Sequence, residues 1–466
     1  MDSPQYFDYV GRRDHIVLLA ILTIAFLIRL GIPVLVYEST HNVLGFYSYD
    51  SLSYIQPAQE LLNTGHFANQ QIPDIYRTPG YPLLLIPGIW IGQIEVITIL
   101  LQLILGVLNI YIVYRIGLIL FRKSTIAFLA GALMAIEPLA NLYGSKILSE
   151  TLFCTAVLLF ILFICKYLSG YQFQDILLGA FFLGISVYIR PITYYLTFFI
   201  TGFLLVKSVI GKVQRRIILL HVLLFLIVSF GLTFIWQVRN YIIAGTWEFS
   251  SISDINLYFF HGASVAAVHK HIPLVDMQNE MGYRDPTIYY ELHPDQKSWP
   301  VAKQLEYFKA QGLGQITGDI PTFVKIYLIG TARTLFDPGA NEYLRLFGQY
   351  SLPGGIVGVG IDKGIGELVK QIKGIFEQHQ NIFIANLALF IILLIYYLFF
   401  LFGILKSRVW RDSLLFFPLV VGIYLIILSG GASGADRFRM PVMPILCLFA
   451  GYGMNYWIEK KLVYKR

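Results

Sequence analysis

Runs of about 20 apolar residues recur along almost the whole chain, and nothing else limits its possible folds so strongly. They predict membrane spans near 16–37, 95–120, 126–142, 147–167, 174–189, 191–208, 217–236, 382–405, 413–429 and 441–458. The run 126–142 is short and contains Glu137-Pro138. Only 14% of the residues are charged and 56% are hydrophobic, whereas a soluble chain carries about a quarter charged residues. The fold class is therefore an all-α polytopic membrane protein with about 10–13 transmembrane helices, amphipathic juxtamembrane helices and outer loops. An aromatic content of 35 Phe, 31 Tyr and 6 Trp suits rings placed at headgroup level.

The net charge of +7 is no nucleic-acid signature, because the basic residues lie in short loops between apolar runs. Cys154, Cys165 and Cys447 all fall inside apolar runs, so neither a disulfide framework nor a thiolate metal site is expected. The first run lacks a small-residue cleavage site behind it and reads as a retained helix. Positive-inside bias puts Arg12/Arg13, Arg122/Lys123, Lys166, Lys207 to Arg216, Lys406 to Arg411 and Lys460 to Arg466 on one side. The expectation is a multi-pass protein of the plasma (inner) membrane with both termini cytoplasmic.

Three regions follow. Residues 1–236 form an N-terminal transmembrane catalytic module that includes a first outer loop, 38–94. Residues 237–381 form an outer region with interfacial helices, and 382–466 hold the C-terminal transmembrane helices. Within the first outer loop, Leu52, Ile55, Ala58, Leu61 and Leu62 recur at helical spacing opposite Gln56, Gln59, Glu60 and Asn63, with Gly65 as a stop. Residues 51–64 therefore read as an amphipathic helix lying in the interface. The stretch 320–336 is apolar but interrupted by Lys325 and Arg333, and reads as an interfacial or re-entrant helix. Residues 351–366, with Pro353-Gly354-Gly355 and further glycines, read as a mobile loop.

This topology gathers ionisable residues on the outer side. Asp50, Arg77, Glu137, Lys146 and Glu150 map to outer span ends or outer loops, as do Arg190, Arg239, Arg437 and Arg439. Arginines there run against the usual bias, and charges near membrane depth face a cavity or a partner. Guanidinium groups match phosphate bidentately, so the set implies a bound anion. Asp50 and Glu150 are the candidate catalytic carboxylates. Arg77, Arg437, Arg439 and Lys146 are candidates for a phosphate, with Tyr54, Tyr81, Arg190 and Arg239 as secondary candidates. Each has a plainer reading. Asp50 can cap the 51–64 helix, Glu150 suits a helix N-terminus, and Arg77 can snorkel. Asp436 can pair with Arg437 or Arg439. Arg29, inside the first span, has no assigned role. His261, His269 and His271 have no ligand spacing, and no metal site is expected.

These residues resemble the protein O-mannosyltransferase superfamily, which includes the bacterial aminoarabinose-to-lipid-A transferases. The resemblance rests on Asp50 after the first span, Arg77-Thr78-Pro79-Gly80-Tyr81-Pro82, Ser149-Glu150-Thr151 and Arg190-Pro191. It rests also on Trp236-Gln237-Val238-Arg239-Asn240-Tyr241 and Arg437-Phe438-Arg439-Met440-Pro441. It implies the GT-C glycosyltransferase fold and a sugar donor carried on a polyprenyl phosphate. It also implies a lipid, glycan or protein acceptor on the outer face. By position Asp50 matches the family's first-loop acidic residue, Glu150 the acidic residue of the second outer loop, and Arg77 a basic residue that meets the donor phosphate. Asp50 is followed by Ser51, not by the second acid of the eukaryotic members. Tyr76-Arg77 replaces the Glu-Lys pair of the aminoarabinose transferases, so a metal ligand used there is missing.

The reading is an inverting hexosyl- or pentosyltransferase of cell-envelope glycans, with Asp50 as general base and no required cofactor, a divalent metal being left open. An O-antigen polymerase or ligase is the main alternative. A lipid-linked sugar flippase is another, but it predicts ionisable residues at the bilayer midplane and not at the rim.

Overall fold

The computed structural model describes residues 11–210, 215–349, 366, 370, 373–374 and 380–463. It is 83% helical, as an apolar chain must be when its backbone groups have no water to bond. Among the described residues the only strands are Ala68–Asn69 and Ile72–Pro73, a short antiparallel pair. The glycine-rich stretch 351–366 lies outside the described residues, apart from Gly366.

Among the described residues five helices are long and apolar enough to cross a bilayer: Arg12–Thr40, Ile94–Phe121, Glu150–Gly170, Arg216–Ala244 and Phe383–Arg411. A bent pair, Ser124–Ile136 and Pro138–Gly144, makes a sixth if taken as one span. Length and composition alone set this number, and shorter apolar helices accompany these. Phe173–Ile189 and Ser413–Leu428 are apolar but only 17 and 16 residues long, about 25 Å at 1.5 Å per residue. The expected span 191–208 opens with a 3-10 turn, Pro191–Thr193, before helix Leu196–Ile210. The expected span 441–458 is likewise a 3-10 segment, Asp436–Val442, followed by helix Met443–Val463. Proline lacks the N–H that an unbroken helix needs, which explains both breaks.

Glu150–Gly170 is the central helix, with 72% of its apolar window buried, against 17% for Arg12–Thr40 and Phe383–Arg411 at the periphery. Met443–Val463 lies along Gln380–Ser407, where Gly403 and Gly453 let the backbones touch; a Cβ on either would overlap the facing main chain. The bend of 52° at Glu137-Pro138 frees carbonyls inside the bundle, and side chains satisfy them. Arg29 donates to the carbonyls of Ala135 (3.1 Å) and Met134 (3.3 Å). Glu137 accepts from the backbone N–H groups of Leu139 and Ala140 at the start of the next helix. Arg29 and Glu137 are thus structural.

The amphipathic helix appears as Ser51–Thr64 and stops at Gly65, whose φ of 75° suits glycine alone. Its buried face holds Tyr54, Ile55, Pro57 and Ala58, while Leu52 and Leu62 stay exposed. The segment after 237 is no irregular loop. The helix Arg215–Ala244 continues through that position, and short helices then pack around a second apolar core built on Tyr258, Phe259, Met277, Leu305 and Phe308. The expected helix 320–336 is present as Ile320–Phe336.

Candidate active site

Asp50 closes the turn that follows the first helix. Ser51 fixes that turn: its hydroxyl accepts from the Ser48 N–H (2.8 Å) and donates to the Ile147 carbonyl (2.9 Å). The turn is thereby joined to the loop that leads into Glu150–Gly170. Although Asp50 stands at the N-cap position, its side chain makes no capping bond. Its carboxylate instead accepts from Arg77 Nη2 at 2.8 Å on Oδ1 and from Arg437 Nη1 at 2.5 Å on Oδ2. Burial alone would raise its pKa, but the guanidinium of Arg437, and then that of Arg77, outweigh burial and hold it well below the usual carboxylate range.

The Arg77 loop is built by capping and latching. Asp74 accepts the backbone N–H groups of Tyr76 and Arg77. Arg239 donates to the carbonyls of Asp74 (2.6 Å) and Phe67 (2.7 Å), so it acts as a latch on this loop. Gly80 sits against the Tyr188 carbonyl, where a Cβ would not fit. That contact sets the Thr78-Pro79-Gly80 turn against the end of Phe173–Ile189. Arg77 is buried and bonded through each of its three guanidinium nitrogens, donating to Ser53, Tyr54 and Asp50. Its guanidinium also lies 4.3 Å from the centre of the Tyr54 ring.

Arg437 differs. It gives one N–H to Asp50, and its other donors have no protein partner among the described residues. Arg190 likewise gives one N–H to Glu150 at 3.0 Å. The two guanidiniums flank the Phe438 ring, at 4.8 Å and 5.2 Å from its centre. Glu150 is buried, with its second oxygen unpartnered among the described residues. Asp50, Tyr54, Arg77, Arg190 and Arg437 line one cavity of about 380 Å³, together with Tyr76 and Tyr283. Three guanidiniums and one carboxylate line it, with Glu150 paired to Arg190 outside the lining, so the cavity has a surplus of positive charge and suits an anion.

The remaining candidates are placed elsewhere. Lys146 is buried and pairs with Glu342. Arg439 donates to the carbonyls of Thr334, Leu335 and Asp337, each at 2.7 Å. It thereby closes the C-terminal end of Ile320–Phe336. Tyr81 is buried and donates to Gln102. Asp436 accepts from Tyr143 at 2.9 Å. Sequence reasoning missed Ser53 and Tyr76 beside Arg77, and Glu342 opposite Lys146. No spacing pattern marks any of them. Among the described residues no three His, Cys, Asp or Glu side chains come together to hold a metal. Asp50, flanked by two guanidiniums, stands in surroundings that do not fit a divalent cation.

Residues 78–236 match the family described as dolichyl-phosphate-mannose-protein mannosyltransferase. That segment contains Glu150 and Arg190 but not Asp50, Arg77 or Arg437. No curated protein matches the chain. Among solved structures, the chain is similar to the oligosaccharyltransferase AglB from Archaeoglobus fulgidus in complex with an inhibitory peptide and a dolichol-phosphate. The TM-score is 0.52 at 13% identity, over 96% of this chain and 51% of that one. The apo form of the Archaeoglobus fulgidus oligosaccharyltransferase gives 0.52 at 15% identity, with the same coverage. ArnT from Cupriavidus metallidurans, bound to undecaprenyl phosphate, is more distant, at 0.39 and 11% identity over 95% of this chain and 77% of that one. The chain spans about half the length of the oligosaccharyltransferase chains it matches. This is a multi-pass membrane protein of the GT-C glycosyltransferase fold, and its residues 78–236 match the dolichyl-phosphate-mannose-protein mannosyltransferase family.

Proposed function

We propose that the protein moves a sugar from a polyprenyl-phosphate donor to an acceptor hydroxyl, with inversion, on the outer face of the membrane. The observation that carries this reading is the Arg77–Asp50–Arg437 cluster in a positively biased cavity at one end of the bundle. The orientation is supported by Arg12, Arg122, Lys207 and Lys406, which stand at the opposite helix ends.

Arg437 and Arg190, which have spare donors, would take the donor phosphate, while Arg77 holds Asp50 in place. In the empty cavity Asp50 is a poor proton acceptor because two guanidiniums stabilise its charge. A phosphate that draws Arg437 toward itself removes one of them and raises the proton affinity of Asp50 as the substrate arrives. The acceptor oxygen then attacks the sugar C1 from the face opposite the phosphate. The C1–O bond breaks, its electron pair leaves on the phosphate, and the acceptor proton passes to Asp50. General-base help of this kind contributes about 10²–10⁴-fold. No step requires a metal.

The test is release of free polyprenyl phosphate from a panel of polyprenyl-phosphate hexoses and pentoses by the purified protein. It is read beside mass spectrometry of surface glycans and lipids from cells with and without the gene product. Sugar release coupled to a new glycan is expected. Failure to consume any donor, with unchanged surface glycans, would overturn the reading.

A further inference from the structure

A second and larger chamber, about 630 Å³, adjoins the charged cavity and shares Pro191, Tyr195 and Ser253 with it. Its chemistry is the reverse. One wall is aromatic: Tyr194, Tyr195, Phe198 and Trp247 line it, and Trp247 is held by rings at 4.4 Å (Tyr241) and 5.9 Å (Phe234). The facing side carries Glu248, Asp254 and Glu306 against one cation, Lys309, which stands 3.5 Å from Glu248.

Asp254 is the informative residue. It is 4% exposed, yet its carboxylate has no hydrogen-bond or ion-pair partner among the described residues. Its oxygens open onto the chamber, and the burial of the rest of the residue, with Glu248 adding to it, pushes its pKa up to about 6 against the pull of Lys309. The helix that carries it, Ile252–Asn256, also places Ser253 in both chambers. A ligand supplying O–H or N–H donors would satisfy Asp254.

We propose that this chamber is the acceptor subsite, and that it takes an uncharged or amine-bearing saccharide. Aromatic rings present flat apolar faces that match the C–H face of a pyranose, while carboxylates accept hydrogen bonds from its hydroxyl or ammonium groups. The negative surplus repels a uronic acid or a phosphorylated sugar. Charge thus sorts the two substrates: the anionic donor enters the positive cavity, and the non-anionic acceptor seats next door, across the wall of Tyr195 and Ser253. This assignment rests on the glycosyltransferase reading and narrows its acceptor to a glycan.

Saturation-transfer NMR on the full-length protein in detergent, with methyl glucoside, methyl glucosaminide and methyl glucuronide as probes, tests it. Saturable binding of the first two is expected, with the glucuronide weaker by about tenfold or more. Asp254→Asn should weaken the aminosugar by about tenfold, and Trp247→Leu should weaken both binders, with melting temperatures checking the fold of each variant. Equal binding of the glucuronide, absence of saturable binding, or wild-type binding in both folded variants would overturn the proposal. If a variant fails to fold, the ranking of the three probes by the wild-type protein still decides. Donor-sugar release is measured separately. Transfer without saccharide binding sinks only this subsite, and saccharide binding without any donor consumption sinks the glycosyltransferase reading, and the acceptor role with it, but leaves a saccharide site.

Discussion

Asp50 and Asp254 stand in adjoining chambers under opposite conditions. Asp50 lies between two guanidiniums, and its proton affinity is depressed. Asp254 opens onto its chamber with no protein donor among the described residues, and its pKa is raised to about 6. A carboxylate that is fully paired at rest stabilises the empty protein and becomes reactive only when something removes a partner. An unpaired one destabilises the empty protein and gains when something supplies a donor. The first arrangement suits chemistry on demand, and the second suits binding.

The largest effect expected to test this contrast is on transfer. Asp50→Asn keeps the shape but cannot accept the proton, so turnover should fall about 10²–10⁴-fold in the donor-release assay while the protein still folds. Wild-type turnover in that variant would refute the role of Asp50. Arg437→Ala should lower turnover about 10²–10³-fold. Arg439→Ala, two residues away, should instead lower the melting temperature, because three carbonyls at the end of Ile320–Phe336 lose their charged donor. Equal effects of both on melting would erase the distinction between a cavity arginine and a capping one.

Stability against pH should separate the two carboxylates by sign. The depressed pKa of Asp50 gives a contribution that is full at neutral pH and is lost only when pH falls well below the ordinary carboxylate range. Asp254 has the opposite sign. Above pH 6 it must ionise inside the fold, so its penalty is full at pH 8, declines as pH falls from 6 towards 3.8, and is gone below that. Asp254→Asn should therefore melt higher than wild type at pH 8, and the gain should be clearly smaller at pH 5. A gain of equal size at both values would show that Asp254 is not held as described. Aminosugar binding should weaken over the same interval as Asp254 takes up a proton. The smallest expected effect is that of a chelator, which should leave transfer unchanged.

Much of the first chamber was legible in the sequence. Asp50, Arg77, Glu150, Arg190 and Arg437 stand out because charge is rare in an apolar chain and each sits where a span ends. Which arginine does what was not legible. Arg437 and Arg439 flank the same aromatic, and only the 3-10 geometry of Asp436–Val442 turns one to the cavity and the other to the carbonyls of Ile320–Phe336. The second chamber left little trace. Trp247, Glu248 and Asp254 fall in a stretch of ordinary polarity, and their meaning depends on Val301–Gly318 packing across from them. The helix boundaries were less legible for a related reason. Hydropathy windows register apolar length but not the prolines at 191 and 441 that divide helix from 3-10 turn.

The bond between Asp50 and Arg437 joins positions 387 residues apart. A ribosome releases Asp50 and Arg77 long before Arg437, so through most of synthesis the carboxylate has a single counter-ion. The cavity acquires its charge balance only when the segment before the last helix comes to rest against the first loop. A nascent chain that stalls before position 437 can carry most of its membrane helices and still lack the guanidinium that completes the cavity.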